Sequence, residues 1–200
     1  MANKRNTSQG SINEPEMTQE DASLEIEELV IQAITGDTQA FGELYTNYVT
    51  KIYRYVYYHV HNKERAEDIT QEVFLKAWKA IGSCKGKEKT FSSWLYRIAH
   101  NLIIDKLRKS QKQSSREAEL PEDIRDTADR MEIGLEQRDL LTVIELLPPN
   151  QKQVIVMKFI EGMDNREIAE SIGKSTGAVR ILQMRALDTL RKALDKNKDQ

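Results

Sequence analysis

NREIAESIGKSTGAVRILQMR, residues 165–185, is the stretch on which the reading of this 200-residue chain turns. If Asn165 opens a helix, Ile168, Ala169 and Ile172 fall on one face, and Gly173 then supplies a residue that tolerates positive φ at a turn. The small side chain of Ala169 lets a second helix cross closely, and the Ser175 hydroxyl can cap the backbone amides where that helix begins. Val179, Leu182, Ala186 and Leu190 repeat at helical spacing and turn inward. The outward face carries Arg180, Ile181, Met184 and Arg185. Its arginines can donate paired hydrogen bonds to guanine or reach phosphates, and Ile181 and Met184 can pack against thymine methyl groups. The spacing predicts a helix-turn-helix that reads duplex DNA, although a plain amphipathic hairpin has the same apolar pattern.

The formal charge of −2 conceals a partition along the chain. Residues 1–33 hold two basic and seven acidic side chains, and residues 114–139 hold four and nine, each a net −5. Between them, residues 76–113 hold ten basic and two acidic side chains, a net +8. Such a block makes a local field that attracts phosphate even on a chain whose total charge does not. Aromatic residues lie in and beside it: twelve of the thirteen fall between Phe41 and Tyr96. Most read as core, with Phe41, Tyr45, Tyr48 and Ile52 at i, i+4, i+7 and i+11. Trp94 and Tyr96, beside the basic residues, are the candidates for stacking on single-stranded bases.

Two hundred residues suffice for one large or two small domains. No apolar run approaches the ~20 residues that span a bilayer, and the polar start MANKRNTSQG has no signal-peptide core, so a cytoplasmic protein without membrane insertion is expected. Cys84 is the sole cysteine, which excludes an internal disulfide, and its loop-like setting GSCKGKEK predicts an exposed thiol. His59, His61 and His100 form no recognisable ligand set, and no nucleophile elbow or phosphate-binding glycine loop is present. The chain is therefore expected not to be an enzyme, and to need neither cofactor nor metal.

An all-α fold is expected: two small helical domains joined by a flexible acidic linker, the second containing the helix-turn-helix. Residues 1–22 read as a disordered tail, 23–110 as the first domain, 111–130 as the linker and 131–200 as the second domain. Helical patterns run from Leu24 to Thr35, Thr38 to Val60, Lys63 to Ile81 and Phe91 to Lys109, with Asp37 and Asn62 as candidate caps. Further helices are expected from about Met131, stopping before Pro148-Pro149, and from Asn150 to Glu161.

Three stretches resemble the extracytoplasmic-function class of bacterial sigma factor. Ala66-Glu67-Asp68-Ile69-Thr70-Gln71-Glu72-Val73-Phe74-Leu75-Lys76-Ala77-Trp78 is similar to that family's polymerase-binding helix. Phe91 to Lys109, containing Ser93-Trp94-Leu95-Tyr96-Arg97-Ile98-Ala99-His100-Asn101, resembles its helix for the promoter −10 element. Leu147-Pro148-Pro149-Asn150-Gln151, Glu161-Gly162 and Arg166-Glu167-Ile168-Ala169 resemble the opening of its second domain. The resemblance implies that Asp68, Gln71, Glu72, Phe74 and Trp78 dock on core RNA polymerase. It implies that Trp94, Arg97, His100, Asn101, Asp105, Lys106, Arg108 and Lys109 meet the melted −10 strand, Asn101 by holding a flipped base. Ser175, Thr176, Arg180, Ile181, Met184 and Arg185 would meet the −35 duplex. Core RNA polymerase and promoter DNA are thus the implied partners, with an anti-sigma factor as a further candidate. Family members carry a basic residue where this chain has Leu182 and a small polar one where it has Ile181, so the base contacts of the second helix stay open. An operator-binding helix-turn-helix regulator is the alternative, and the acidic, apolar face from Asp68 to Trp78 argues against it.

Overall fold

A computed structural model describes residues 19–84, 88–114, 142 and 144–198. Among the described residues are seven α-helices and no strand, arranged as two helical regions. The first region comprises α1 (Gln19–Ile34), α2 (Thr38–Val60), α3 (Lys63–Ala80) and α4 (Glu88–Ser114). The second comprises α5 (Pro149–Ile155), α6 (Asn165–Ile172) and α7 (Thr176–Lys198).

Local chemistry sets most boundaries. Gly36, at φ 100°, turns the chain out of α1, and Asp37 Oδ1 then accepts from the amides of Gln39 (2.8 Å) and Ala40 (3.2 Å) to start α2. Asn62 Oδ1 accepts from Arg65 N at 2.8 Å and starts α3, so both anticipated caps are present. The aromatic run Tyr53–Val60 continues α2 rather than forming a strand. Two helices are longer than their apolar stripes. α1 begins at Gln19, inside the stretch read as a tail, because Gln19, Glu20 and Ala22 are good helix formers and need no buried stripe to extend it. α4 continues to Ser114 through Gln111, Lys112 and Gln113 for the same reason, taking four residues from the expected linker. The rest of that linker, the helix expected from Met131 apart from a few residues, and residues 1–18 of the tail lie outside the described residues.

The first region is built on rings and aliphatics. Tyr48 packs edge-on to Phe91 (centroids 5.3 Å) and Tyr55 edge-on to Tyr96 (5.2 Å), among Val30, Leu44, Ile52, Val73, Leu95 and Ile103. Tyr45 departs from its expected core role: it is 43 % exposed, while Phe41 is partly buried on Trp78. Cys84 is another departure. The short 3-10 turn Ile81–Ser83 folds it back into the core, where it is 7 % exposed and not a surface thiol.

In the second region Pro148 and Pro149 open α5, whose end widens into a single π turn over Val156–Ile160. Asp164, one residue earlier than the expected start, caps α6 in a full capping box. Its Oδ1 accepts from Arg166 N and Glu167 N (both 2.8 Å), and Glu167 Oε2 accepts from Asp164 N (2.7 Å). Gly173, at φ 64°, closes α6, and Ser175 Oγ accepts from Ala178 N at 3.2 Å to open α7. Ile168, Ala169, Val179 and Ala186 are buried between α6 and α7, and Leu182 and Leu190 pack against them, which gives the anticipated helix-turn-helix.

Candidate protein and nucleic-acid interfaces

On α3, Asp68 and Gln71 are exposed one turn apart. Glu72 is half-buried and already engaged, bonded to Lys106 Nζ (2.9 Å) on α4 and to Lys76 Nζ (3.4 Å). The Lys106 bond, with Lys76 adding to it, holds the Glu72 carboxyl below its ordinary pKa. Phe74 is not on the open face. It is 5 % exposed, edge-on to Tyr45 at 4.7 Å, because at position 74 the helix turns toward α2. Trp78 is partly buried on the Phe41 ring at 4.9 Å. The exposed apolar residue beside Asp68 and Gln71 is instead Leu75, 54 % exposed at i+7 from Asp68 and i+4 from Gln71. The resemblance implied the rings at 74 and 78 for this role, whereas the i+4 and i+7 spacing puts Leu75 on the open face.

On α4, Arg97, Asn101, Asp105 and Arg108 are all exposed, and their i, i+4, i+8, i+11 spacing sets them along one stripe. Lys109 is exposed beside them, and Lys106 leans across to Glu72. Trp94 is partly buried against Phe91 (5.9 Å). Tyr96 and His100, both considered for strand binding, face elsewhere. Tyr96 is 2 % exposed and donates its hydroxyl proton to Glu161 Oε2 at 2.8 Å. His100 Nδ1 accepts from Gln153 Nε2 at 2.5 Å, and burial, with Lys174 nearby, pulls its pKa below the usual imidazole value. Both partners belong to the second region.

Thr176, Arg180, Ile181, Met184 and Arg185 on α7 all lie at the surface, as does Ser175 just before it, whose hydroxyl accepts from the Ala178 amide. Gln183 Nε2 donates to Asn165 Oδ1 at 2.8 Å and ties α7 to α6 behind this face. The structure therefore gathers a small acidic and apolar patch on α3, a polar stripe on α4 and a mixed face on α7.

The two regions meet along a polar seam that was not anticipated. Arg54 on α2 grips Glu161 twice, Nε to Oε1 at 2.8 Å and Nη2 to Oε2 at 2.9 Å, and its Nη2 also reaches the Ile160 carbonyl at 3.3 Å. The Glu161 side chain is fully enclosed. The hydrogen bond to Glu161 raises the Arg54 pKa further, and burial beside that carboxylate lifts the Tyr96 hydroxyl well above its ordinary value. Alongside, Gln153 Nε2 donates to the buried Tyr55 hydroxyl (3.3 Å), and Lys152 Nζ donates to His61 Nε2 (2.6 Å). His61 adopts the left-handed backbone, φ 52°, that ends α2. His59 donates Nδ1–H to the Tyr55 carbonyl (2.7 Å), and its Nε2 is closed off from solvent with no partner among the described residues. Burial depresses its pKa from the usual 6.5 to about 3. The one sequence signal for this seam is a carboxylate, Glu161, directly after a stretch, Val154 to Ile160, that is apolar but for Lys158.

Both regions match known families. Residues 44–113 match the Sigma-70 region 2 family and residues 137–190 match Sigma-70 region 4. The chain is 34 % identical over 181 residues to the ECF RNA polymerase sigma factor SigW of Bacillus subtilis, covering 84 % of this chain and 96 % of SigW. It is 36 % identical over 171 residues to the ECF RNA polymerase sigma factor BldN of Streptomyces coelicolor, covering 84 % of this chain but 65 % of BldN. The solved structure of CnrH in complex with the cytosolic domain of CnrY superposes with a TM-score of 0.68 at 25 % identity, over 86 % of this chain and 98 % of that one. These matches do not favour the stand-alone operator-binding alternative. No described helix is long and apolar enough to cross a membrane.

Proposed function

Because this chain belongs to the extracytoplasmic-function class of RNA polymerase sigma factors, we propose that it binds core RNA polymerase through the α3 patch and directs initiation through α4 and α7. Asp68 and Gln71, with Leu75, form the polymerase contact, the carboxylate meeting basic residues of the partner. Arg97, Asn101, Asp105, Arg108 and Lys109 follow the melted −10 strand, where Asn101 holds an unstacked base and the cations meet phosphates. Arg180, Ile181, Met184 and Arg185 read the −35 element as duplex. It acts in the cytoplasm, without chemistry of its own. CnrH was solved with a bound protein partner, which supports an anti-sigma factor as a candidate partner here as well.

The observation that carries this reading is the coexistence on one chain of the open α4 stripe and the open α7 face, two nucleic-acid surfaces of different character. An operator-binding protein has use for the second alone. Run-off transcription with core polymerase on candidate promoters tests it: the protein should supply specific initiation that core polymerase lacks. Asp68→Lys should remove most of that activity by weakening holoenzyme assembly while leaving helicity unchanged. It is a cleaner probe than a change at Glu72, which would also break the bond to Lys106. Unaltered polymerase affinity of Asp68→Lys in a pull-down titration would count against the α3 assignment.

A further inference from the structure

Folding brings a carboxylate into the basic block from outside it. Residues 76–113 carry ten basic side chains, Lys76 and Lys106 among them, while Glu72 precedes the block in sequence. Packing of α3 on α4 sets Glu72 between those two lysines, 2.9 Å from Lys106 Nζ and 3.4 Å from Lys76 Nζ. Lys76 is one turn away on the same helix, a pair that α3 would make by itself, whereas the Lys106 pair exists only because the two helices pack. The bond to Lys106, with Lys76 adding to it, keeps the Glu72 carboxyl below its ordinary range, so Glu72 is fully charged at neutral pH.

This bond sets Lys106 apart from the other cations of α4. Among the described residues, Arg97, Arg108 and Lys109 are exposed with no carboxylate in ion-pair contact, while the Lys106 ammonium rests on Glu72. Lys109, at i+3, is the neighbour of Lys106 on the α4 surface, so a strand with a phosphate at Lys109 has the next cation within reach. A phosphate arriving there finds the ammonium already on a carboxylate, and that carboxylate repels it. The Lys106 and Glu72 side chains are 46 % and 34 % exposed, so their bond is of the screened kind that a second anion can displace. We propose, resting on the −10 assignment above, that Glu72 is an internal competitor of the DNA strand. It occupies Lys106 in place of a phosphate, and so sets how tightly, and with what salt dependence, α4 takes single-stranded DNA.

Fluorescence anisotropy of labelled oligothymidine, titrated with the full-length chain at several salt concentrations, tests the competition, because the strand offers phosphates without a particular base sequence. Glu72→Gln removes the charge and keeps the side-chain shape. It should bind the strand about two- to fivefold tighter than the parent. Its affinity should also fall more steeply with salt, by about 0.7 in the logarithmic slope for one added phosphate contact. Lys106→Met should cost the Glu72→Gln chain several times more affinity than it costs the parent, with native helicity confirmed by circular dichroism throughout. Affinity and slope of Glu72→Gln equal to those of the parent, or an equal cost of Lys106→Met in both chains, would overturn the competition. Arg97→Ala and Arg108→Ala locate the strand and should weaken its binding in every chain. If they do so and Glu72→Gln changes nothing, the strand lies on α4 and the competition alone fails. If they do not, the −10 assignment fails, and the competition with it.

Discussion

In the first region, long helices bury rings packed edge-on, Tyr48 on Phe91 and Tyr55 on Tyr96, and the apolar core carries the fold. The second region has two helices of seven and eight residues, α5 and α6, whose ends are fixed by prolines, a capping box and Gly173, and it rests on the first through Glu161 and Gln153. Helices that short are not stable by themselves, so their termini and their neighbours must supply the order. The contrast separates a region held by packing from one held by punctuation and contact.

Three changes would break or sharpen that comparison. The largest effect should come from Phe91→Ala. Phe91 is fully buried between Tyr48 and Trp94, and truncating such a ring costs about 3–5 kcal/mol through lost burial and the cavity left behind. Urea unfolding followed by circular dichroism should show the loss in the first region. A shift below 1 kcal/mol, on the order of a surface change, would mean that the ring packing does not dominate.

The next effect is a pH dependence centred on the seam. His59 has a folded-state pKa of about 3 against the usual 6.5, so the unfolded chain takes up a proton that the folded chain refuses. Its contribution to stability is complete above pH 6.5 and is lost as pH falls toward 3, by at most about 1.4 kcal/mol per pH unit. Lys152, His100 and His61 all face it as positive or titrating neighbours and act in the same direction. Thermal melts from pH 7 to pH 5 should show this decline, and His59→Phe, which keeps a ring against Tyr55, should flatten it. A slope unchanged by His59→Phe would place the titration elsewhere.

A smaller effect, about 1 kcal/mol, is expected for Asp164→Ala, which removes the side-chain half of the capping box on α6. Hydrogen exchange should speed up in α6 and α7 and stay unchanged in α1 to α3. Equal acceleration in both regions would show that they unfold as one unit and would weaken the contrast.

The helical boundaries that could be read in advance depend on contacts within a few residues. Asp37, Asn62 and Ser175 cap where expected because a cap is a bond over two or three positions. The helix-turn-helix was legible for the same reason, through Ala169, Gly173 and Val179. What escaped depends on distant partners or on fractions of a turn. Tyr96 reads as a ring beside arginines until Glu161, 65 residues away, accepts its hydroxyl. Phe74 and Leu75 differ by about 100° around α3, and only the position of Tyr45 on α2 decides which one is buried. Cys84 follows Gly82-Ser83 and looks exposed, yet the 3-10 turn before it returns it to the core. Among the candidate site residues, those at exposed positions on α4 and α7 lie where the 3.6-residue period puts them, and the exceptions on α4 are Trp94, packed on Phe91, and His100, which the second region covers.

The central claim is that α4 and α7 read DNA in different states, and the most direct measurement pairs permanganate reactivity of melted thymines with gel-shift affinity on one promoter, using holoenzyme. Asn101→Ala should retain closed-complex affinity and lose thymine reactivity, because the base it is proposed to hold is available only after melting. Arg180→Ala and Arg185→Ala should lose closed-complex affinity instead, by about 1–3 kcal/mol each where the contact is to a base edge and by less where it is to phosphate. The same defect at the same step for Asn101→Ala and Arg180→Ala would contradict the assignment of separate strand and duplex readers.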